Sequence, residues 1–263
     1  MVHAVNKNQN DPSNVKTVAD NVLKIRQRIS RAAKKSGRTG SDVRLIAVSK
    51  YAEPGDGMIE ALLASNCTEF GEARPQRLLD KAKYYSGMPI QWHFIGPLQR
   101  NKVRKILPIT TLIQSLDSLR LAEAIHRVAE EEQLPPVRCL LEIAISQDKE
   151  KHGIEPAHVL EVLDKMGAYN NVIVEGLMGM AGLESEEPQI RKEFERLRRT
   201  AESAQERGLP PNVLLSELSM GMSGDFEMAI EEGATIVRIG SVLYPHQEQY
   251  LLGLNDHKAF AGN

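Results

Sequence analysis

The sequence predicts a closed barrel of eight parallel strands, each followed by a helix. Eight short, mostly apolar runs alternate with helical patterns, which is typical of a parallel sheet. The eight units fit into about 200 residues with one extra helix in front, as in a (β/α)₈ barrel. The first strand ends at Ser49-Lys50-Tyr51 without the glycine-rich turn that an open dinucleotide-binding sheet needs. We therefore predict a single (β/α)₈ (TIM) barrel.

The chain begins with a polar stretch and then a long amphipathic helix. Residues 1–14 carry four asparagines, which predicts a flexible tail. From residue 15 onward, apolar residues recur at steps of three and four and mark one helical face, which Gly37 ends. We expect two parts: the tail at 1–14, and a single barrel domain with this extra N-terminal helix at 15–263.

The remaining elements alternate in order. The predicted strands are 43–50, 68–73, 90–96, 111–118, 138–145, 172–180, 213–220 and 235–241. The predicted helices are 54–65, 75–84, 98–107, 119–133, 156–168, 188–207 and 223–232, with a last short helix over 246–253. Five prolines fall near helix starts, where a missing N–H costs nothing. Barrel closure makes the eighth strand the neighbour of the first.

Charge and composition exclude several classes of protein. The 263 residues contain 33 Lys and Arg against 35 Asp and Glu, a net charge of −2. This balance argues against a nucleic-acid-coating or polybasic membrane protein. No apolar stretch approaches the ~20 residues that span a bilayer, and the start lacks a secretory signal. Two cysteines suit neither a disulfide scaffold nor a structural zinc site. We expect a cytoplasmic, metal-free protein with neither nucleic acid nor membrane as a partner.

Lys50 is the first candidate site residue, because active sites of such barrels lie at the C-terminal strand ends. By two-residue alternation it shares a face with Arg44, Ile46 and Val48. If that face points inward, burial lowers the pKa of Lys50 and leaves more free amine to attack a carbonyl. The alternative is a lysine at a strand end that simply reaches water.

The turns after strands 7 and 8 are candidates for a phosphate site. Gly221, Gly224 and Gly240 let the backbone approach an anion, and Ser219 and Ser241 add hydroxyl donors. Barrels most often bind phosphate at these two turns. Ordinary turn and capping roles are the alternative. Lys50 and a phosphate site together favour a phosphorylated aldehyde held as a Schiff base.

Arg238 and His93 complete the candidate set. Arg238 lies just before the proposed phosphate donors on strand 8, beside strand 1. If its guanidinium faces the pyridine nitrogen of pyridoxal phosphate, that nitrogen stays unprotonated, because arginine does not lose its proton. The cofactor is then a poorer electron sink, which suits binding or racemisation better than transamination. His93 lies near the end of strand 3, and either faces the barrel mouth or packs in the core.

At these residues the sequence resembles the pyridoxal phosphate homeostasis proteins, small barrels similar to the N-terminal domain of alanine racemase. The segments that carry the resemblance run from strand 1 to strand 8: residues 47–50, 70–72, 92–99 with Asn101 and Lys102, 176–178, 218–223 with Asp225 and Glu227, and 237–240. The resemblance implies pyridoxal phosphate bound covalently to Lys50. It also implies that Ser219, Gly240 and Ser241 help hold the phosphate, and that Arg238 faces the pyridine nitrogen.

The same resemblance implies a role in buffering pyridoxal phosphate and in vitamin B6 and amino-acid balance, without an established reaction. The chain departs from the family pattern at Ala73 and Arg74, where Asn and Tyr are usual. A second hypothesis is an amino-acid racemase, with Tyr51, His93 or a partner as the second base. A third is an aldolase-type barrel enzyme that uses Lys50 without a cofactor. We expect a monomer, with a weak dimer as the alternative.

Overall fold

The protein is a closed (β/α)₈ barrel, as predicted. The computed structural model describes residues 12–146, 153–182 and 184–245. Its parallel strands follow one another around the barrel in chain order, and β8 closes the ring against β1. Their bounds are Arg44–Val48 (β1), Glu69–Glu72 (β2), Gln91–Phe94 (β3), Leu112–Leu116 (β4), Val137–Ile143 (β5), Val172–Gly179 (β6), Val213–Ser219 (β7) and Ile236–Ile239 (β8). The strand order was therefore readable from the alternation of elements.

The helices surround this barrel. They are Pro12–Lys35 (α1), Met58–Ala64 (α2), Pro75–Tyr84 (α3), Val103–Ile106 (α4), Leu119–Glu131 (α5), Val159–Met166 (α6), Glu187–Arg207 (α7) and Phe226–Glu231 (α8). α1 begins at Pro12, so residues 12–14 of the predicted tail are helical. The helix expected over 246–253 lies outside the described residues. α1 packs against both α2 and α8, and so covers the seam between β8 and β1.

Alternation along the strands separates two kinds of core. The interior layer, inside the barrel, is a small apolar cluster of Ile46, Leu112, Leu140, Met178 and Ile236. The shell is the much larger apolar core between strands and helices, which includes Phe70, Phe94, Phe194 and Phe226. Polar side chains lie above and below the interior layer on the same inward faces. The barrel axis is therefore polar at both ends.

Two negative findings concern the described residues. No helix among them is long and apolar enough to cross a membrane. Within the same ranges, no group of three or more His, Cys, Asp or Glu side chains is arranged to hold a metal ion.

Candidate functional site

The C-terminal ends of the strands form the barrel mouth, and Lys50 stands at its rim. β1 is shorter than expected and ends at Val48, so Lys50 lies in a one-turn 3₁₀ helix, Ser49–Tyr51, directly after it. The side chain of Lys50 is half-buried. Its Nζ lies 4.7 Å from the centroid of the Tyr51 ring, a cation–π contact. The Tyr51 ring therefore lies against one side of the Lys50 amine.

Tyr51 joins the Lys50 turn to the end of β8. Its ring packs on Tyr244 at 5.6 Å between centroids, and the Tyr244 hydroxyl donates to the Val48 carbonyl at 2.9 Å. A Cβ at Gly240 would lie 3.1 Å from the Tyr51 ring. Glycine at 240 thus lets the backbone after β8 lie against this ring, close to the Lys50 turn.

The turn after β7 reaches the same place. Gly221 has φ +93°, and a Cβ there would lie 2.6 Å from Ala229 of α8, so this turn requires glycine. Asp225 Oδ1 accepts the Met222 N–H at 2.6 Å, and Ser223 Oγ accepts the Gly240 N–H at 3.2 Å. The turns after β7 and β8 are thereby joined directly. A Cβ at Gly224 would meet nothing within 4 Å, so open space lies next to this backbone.

Ser241 begins a second one-turn 3₁₀ helix, Ser241–Leu243, immediately after Gly240. The first N–H groups of a helix have no intrahelical acceptor, so those of Ser241 and Val242 are not used within this turn. Together with the hydroxyls of Ser241 and Ser223, they form a donor set without a cation. Such a set is suited to the oxygens of an anion.

Arg238 lies on the inward face of β8, beside Ile46 of β1. Its Nη1 donates to the Ser219 carbonyl at 3.0 Å and to Ser219 Oγ at 2.6 Å, and its Nη2 donates to the Gly179 carbonyl at 3.2 Å. Burial lowers the pKa of Arg238 to about 10, although Asp225 and Glu142 oppose the change. The guanidinium therefore remains cationic at neutral pH.

A chain of polar side chains continues from Arg238 down the barrel axis. We call Arg238, Ser219, Gln114, His93 and Glu69 the axial chain. Ser219 Oγ lies 2.7 Å from Gln114 Oε1, Gln114 Nε2 lies 3.0 Å from His93 Nδ1, and His93 Nε2 lies 3.1 Å from Glu69 Oε2. The last contact is close but is not aligned as a hydrogen bond. Ser219, Gln114 and His93 are completely buried.

Charges at the closed end of the barrel anchor this chain. Arg44 pairs with Glu69 at 2.5 Å and with Glu217 at 3.2 Å. Burial opposes ionisation of Glu69, but contacts with His93 and Arg44 lower its pKa to about 2. Burial also lowers the pKa of His93, against the opposing effect of Glu69. Glu69 is thus ionised and His93 neutral at neutral pH.

Glu142 is a second ionisable group at the mouth. It lies on the inward face of β5, is 5% exposed, and its carboxyl has no hydrogen bond or ion pair among the described residues. Burial raises the pKa of Glu142 to about 7, with Asp117 acting in the same direction and Arg238 against it. This carboxyl therefore changes charge near neutral pH. It does so inside the barrel, where Arg238 also lies.

A buried ion pair fixes the backbone next to Lys50 from outside the barrel. Lys81 Nζ lies 2.6 Å from Glu72 Oε2 and donates to the Ser49 carbonyl at 2.6 Å, and both charged side chains are 1% exposed. The other oxygen of Glu72 accepts the N–H groups of Ala73 and Arg74. We call Ser49, Glu72 and Lys81 the Lys81 cluster.

The structure brings most of the predicted site residues together. Lys50, Arg238, Gly240 and Ser241 all lie at the end of the β8–β1 seam. His93 lies lower, inside the barrel, where it contacts Gln114 and Glu69 rather than the mouth. Ser219 Oγ accepts a hydrogen bond from Arg238 and donates one to Gln114.

Sequence reasoning missed Gln114, Lys81 and the part played by Ser223. The first two had signals: Gln114 alternates with Leu112 on the inward face of β4, and Lys81 falls three residues after Leu78 on the buried face of α3.

Comparison with known proteins finds relatives that cover most of the chain. Residues 20–248 match the family described as alanine racemase, N-terminal domain. A pyridoxal phosphate homeostasis protein of Pseudomonas aeruginosa is 36% identical over 230 residues, covering 87% of this chain and 95% of that protein. One of Aquifex aeolicus is 35% identical over 225 residues, covering 86% and 96%. The structure of PipY from Synechococcus elongatus with PLP bound is similar at a TM-score of 0.73 and 31% identity, covering 86% of this chain and 99% of that one.

Proposed function

The chain belongs to the pyridoxal phosphate homeostasis protein family, within the family of alanine racemase N-terminal domains, and on that premise we propose that it binds pyridoxal phosphate at the barrel mouth. We propose further that Lys50 holds the cofactor as a Schiff base and that the protein serves pyridoxal phosphate and amino-acid balance. The observation that carries the proposal is the meeting of a lysine, an anion-binding donor set and a buried arginine at one end of the barrel.

The donor set fits the phosphate. Phosphate oxygens are strong acceptors, and the turns after β7 and β8 offer N–H and hydroxyl donors. Open space beside Gly224 leaves room for an anion next to this backbone. We propose that the N–H groups of Ser241 and Val242 and the hydroxyls of Ser241 and Ser223 hold the phosphate, and that Gly240 orients Ser223 through its own N–H. Ser219 acts at the site through Arg238, because its single proton points to Gln114.

Lys50 and Arg238 suit the aldehyde and the pyridine ring of the cofactor, respectively. When bound, the cofactor supplies an aldehyde carbon that forms a C=N bond with Lys50 Nζ, with loss of water. Tyr51 limits where the amine can point, since the ring lies against it. Arg238 presents a permanent cation, and we propose that it donates to the pyridine nitrogen. The Lys81 cluster holds the Ser49 carbonyl, and with it the start of the Lys50 turn.

A titration with pyridoxal phosphate tests the proposal. We expect the purified protein to develop the absorbance of a protein-bound Schiff base. Lys50→Ala should remove this absorbance, whereas Lys105→Ala, at an exposed lysine of α4, should keep it. Pyridoxal, which lacks the phosphate, should bind roughly tenfold more weakly or worse, because its charge-assisted hydrogen bonds are missing. A Lys50→Ala spectrum equal to that of the wild type would contradict the proposal.

The homeostasis role needs a separate measurement in cells. Disrupting the gene in its host should change the pool of free pyridoxal phosphate together with the amino-acid pools. Restoring the wild-type gene should correct both, and restoring Lys50→Ala should correct neither. Unchanged pools after disruption would contradict this part of the proposal.

The racemase alternative needs a second base facing Lys50. His93 does not face the mouth, since it is completely buried and its Nδ1 is bound to Gln114. Incubation of the loaded protein with individual L-amino acids separates the two functions: we expect no D-isomer, and steady formation of one would favour the racemase.

A further inference from the structure

The hydrogen bonds of the axial chain from Arg238 to His93 each have a fixed donor and a fixed acceptor. Arginine N–H groups only donate, so Ser219 Oγ must accept from Arg238. The single Ser219 proton is then free for Gln114 Oε1, 2.7 Å away. This contact sets the orientation of the Gln114 amide, whose Nε2 therefore donates to His93 Nδ1. A neutral histidine that accepts at Nδ1 carries its proton on Nε2, the atom that faces Glu69.

The direction cannot be reversed at one link alone. If His93 carried a proton on Nδ1, that N–H would face the NH₂ group of Gln114. Turning the amide over would relieve this contact but would place the NH₂ group against the Ser219 hydroxyl. Ser219 could then donate only toward Arg238, which has no acceptor. The arrangement of Arg238 at the mouth and the tautomer of His93 are thus coupled through Gln114.

We propose that Gln114 is a positioning residue for the cofactor site, which holds Ser219 and Arg238 in a single arrangement toward the mouth, and that His93 is its buried partner below. The inference rests on the proposed function for its binding readout. It assigns a role to interior residues that lie below the mouth. Both side chains are completely buried on inward faces. Buried polar groups are retained where they are hydrogen-bonded, and the hydrogen-bond partners here are other side chains of the axial chain.

Two substitutions at Gln114 separate positioning from packing. Gln114→Leu fills a similar volume but leaves the Ser219 hydroxyl without its acceptor. Gln114→Glu keeps a carboxyl oxygen for Ser219 in either protonation state. We expect the dissociation constant for pyridoxal phosphate to rise about tenfold or more in Gln114→Leu, the effect seen when groups that orient a ligating side chain are removed. In Gln114→Glu it should stay within about threefold of the wild type.

Leu140→Ala is the matched packing control, because Leu140 belongs to the interior layer and makes no polar link. We expect it to lower thermal stability while leaving the dissociation constant unchanged. If Gln114→Leu does not fold, Gln114→Met replaces it. Wild-type affinity in a folded Gln114→Leu or Gln114→Met variant would overturn the proposal. An equal loss of affinity in Gln114→Leu, Gln114→Glu and Leu140→Ala would also overturn the proposal, since packing alone would then account for the loss.

A readout without cofactor keeps this inference separate from the proposed function. The ¹⁵N spectrum of histidine-labelled apoprotein reports the tautomer of each ring, and a His93→Asn sample assigns the signal. We expect neutral His93 with its proton on Nε2. An Nδ1–H tautomer would overturn the proposed direction of the hydrogen bonds along the axial chain, even if the cofactor binds. A wild-type protein that shows the Nε2–H tautomer but takes up no pyridoxal phosphate would instead overturn the proposed function.

Discussion

The inside of the barrel and the shell around it are built from the same strands but differ in chemistry. On β8, Ile236 and Arg238 point inward, whereas Val237 and Ile239 pack in the shell. The interior holds one thin apolar layer between two polar ends. The shell is apolar almost throughout and contains most of the large buried side chains. Because alternation assigns each residue to one region, we infer that apolar residues, most of which lie in the shell, govern stability, whereas the polar side chains of the interior serve binding.

The largest expected effect is in the shell. Phe194 of α7 is completely buried, and Phe194→Ala should lower the free energy of unfolding by about 4 kcal/mol, through lost burial and the cavity that remains. Urea unfolding measures this change. A titration at low temperature, where the variant stays folded, should give the wild-type affinity for pyridoxal phosphate. A loss of affinity as large as the loss of stability would break the comparison.

The Lys81 cluster is the polar exception in the shell. Lys81→Met leaves Glu72 as an unpaired buried charge, and we expect a loss of about 3 kcal/mol in urea unfolding. Adding Glu72→Gln should restore most of it, because the amide oxygen still accepts the N–H groups of Ala73 and Arg74. If the double variant is no more stable than Lys81→Met, the ion pair is not the source of the loss.

Glu142 tests the interior through pH. Burial raises the pKa of Glu142 from 4.5, the value in the unfolded chain, to about 7 in the folded protein. Between these values the folded state binds more protons, so wild-type stability falls as pH rises. Glu142→Gln cannot ionise, and should exceed the wild type by about 3 kcal/mol at pH 8 and lose this advantage at pH 4. Urea unfolding of the apoproteins at both pH values measures it, and a pH-independent difference would contradict the assignment.

The smallest effect is expected on the outer surface. Arg28 of α1 forms a bidentate pair with Glu227 of α8 and lies over the Phe226 ring at 4.6 Å. Both charged side chains are partly exposed, and such pairs contribute less than about 1 kcal/mol. Arg28→Ala should therefore change urea stability by less than that amount, and less still at high salt. A loss comparable with that of Phe194→Ala would mean that α1 depends on this pair.

The shell was far easier to predict from sequence than the interior. Apolar periodicity placed the strands and located α3 at residues 75–84. Shell residues recur at every second position along a strand and at every third or fourth position along a helix. Gln114 and Lys81 break that pattern, and their partners lie far away in the chain. Ser219 lies 105 residues from Gln114, so no local signal links them. Barrel closure predicts from sequence that Lys50 and Arg238 lie near each other, whereas the axial chain beneath them is formed by residues that no sequence pattern connects.

The most direct test of the central claim is to locate the cofactor by chemical reduction. The wild-type protein, loaded with pyridoxal phosphate and treated with borohydride, is digested with trypsin and mapped by mass spectrometry. Modified Lys50 resists cleavage, and Arg74 precedes a proline, so the adduct should appear on the peptide of residues 45–77. We predict a single pyridoxyl phosphate group on that peptide, at Lys50. An adduct on another lysine, or none, would contradict the account.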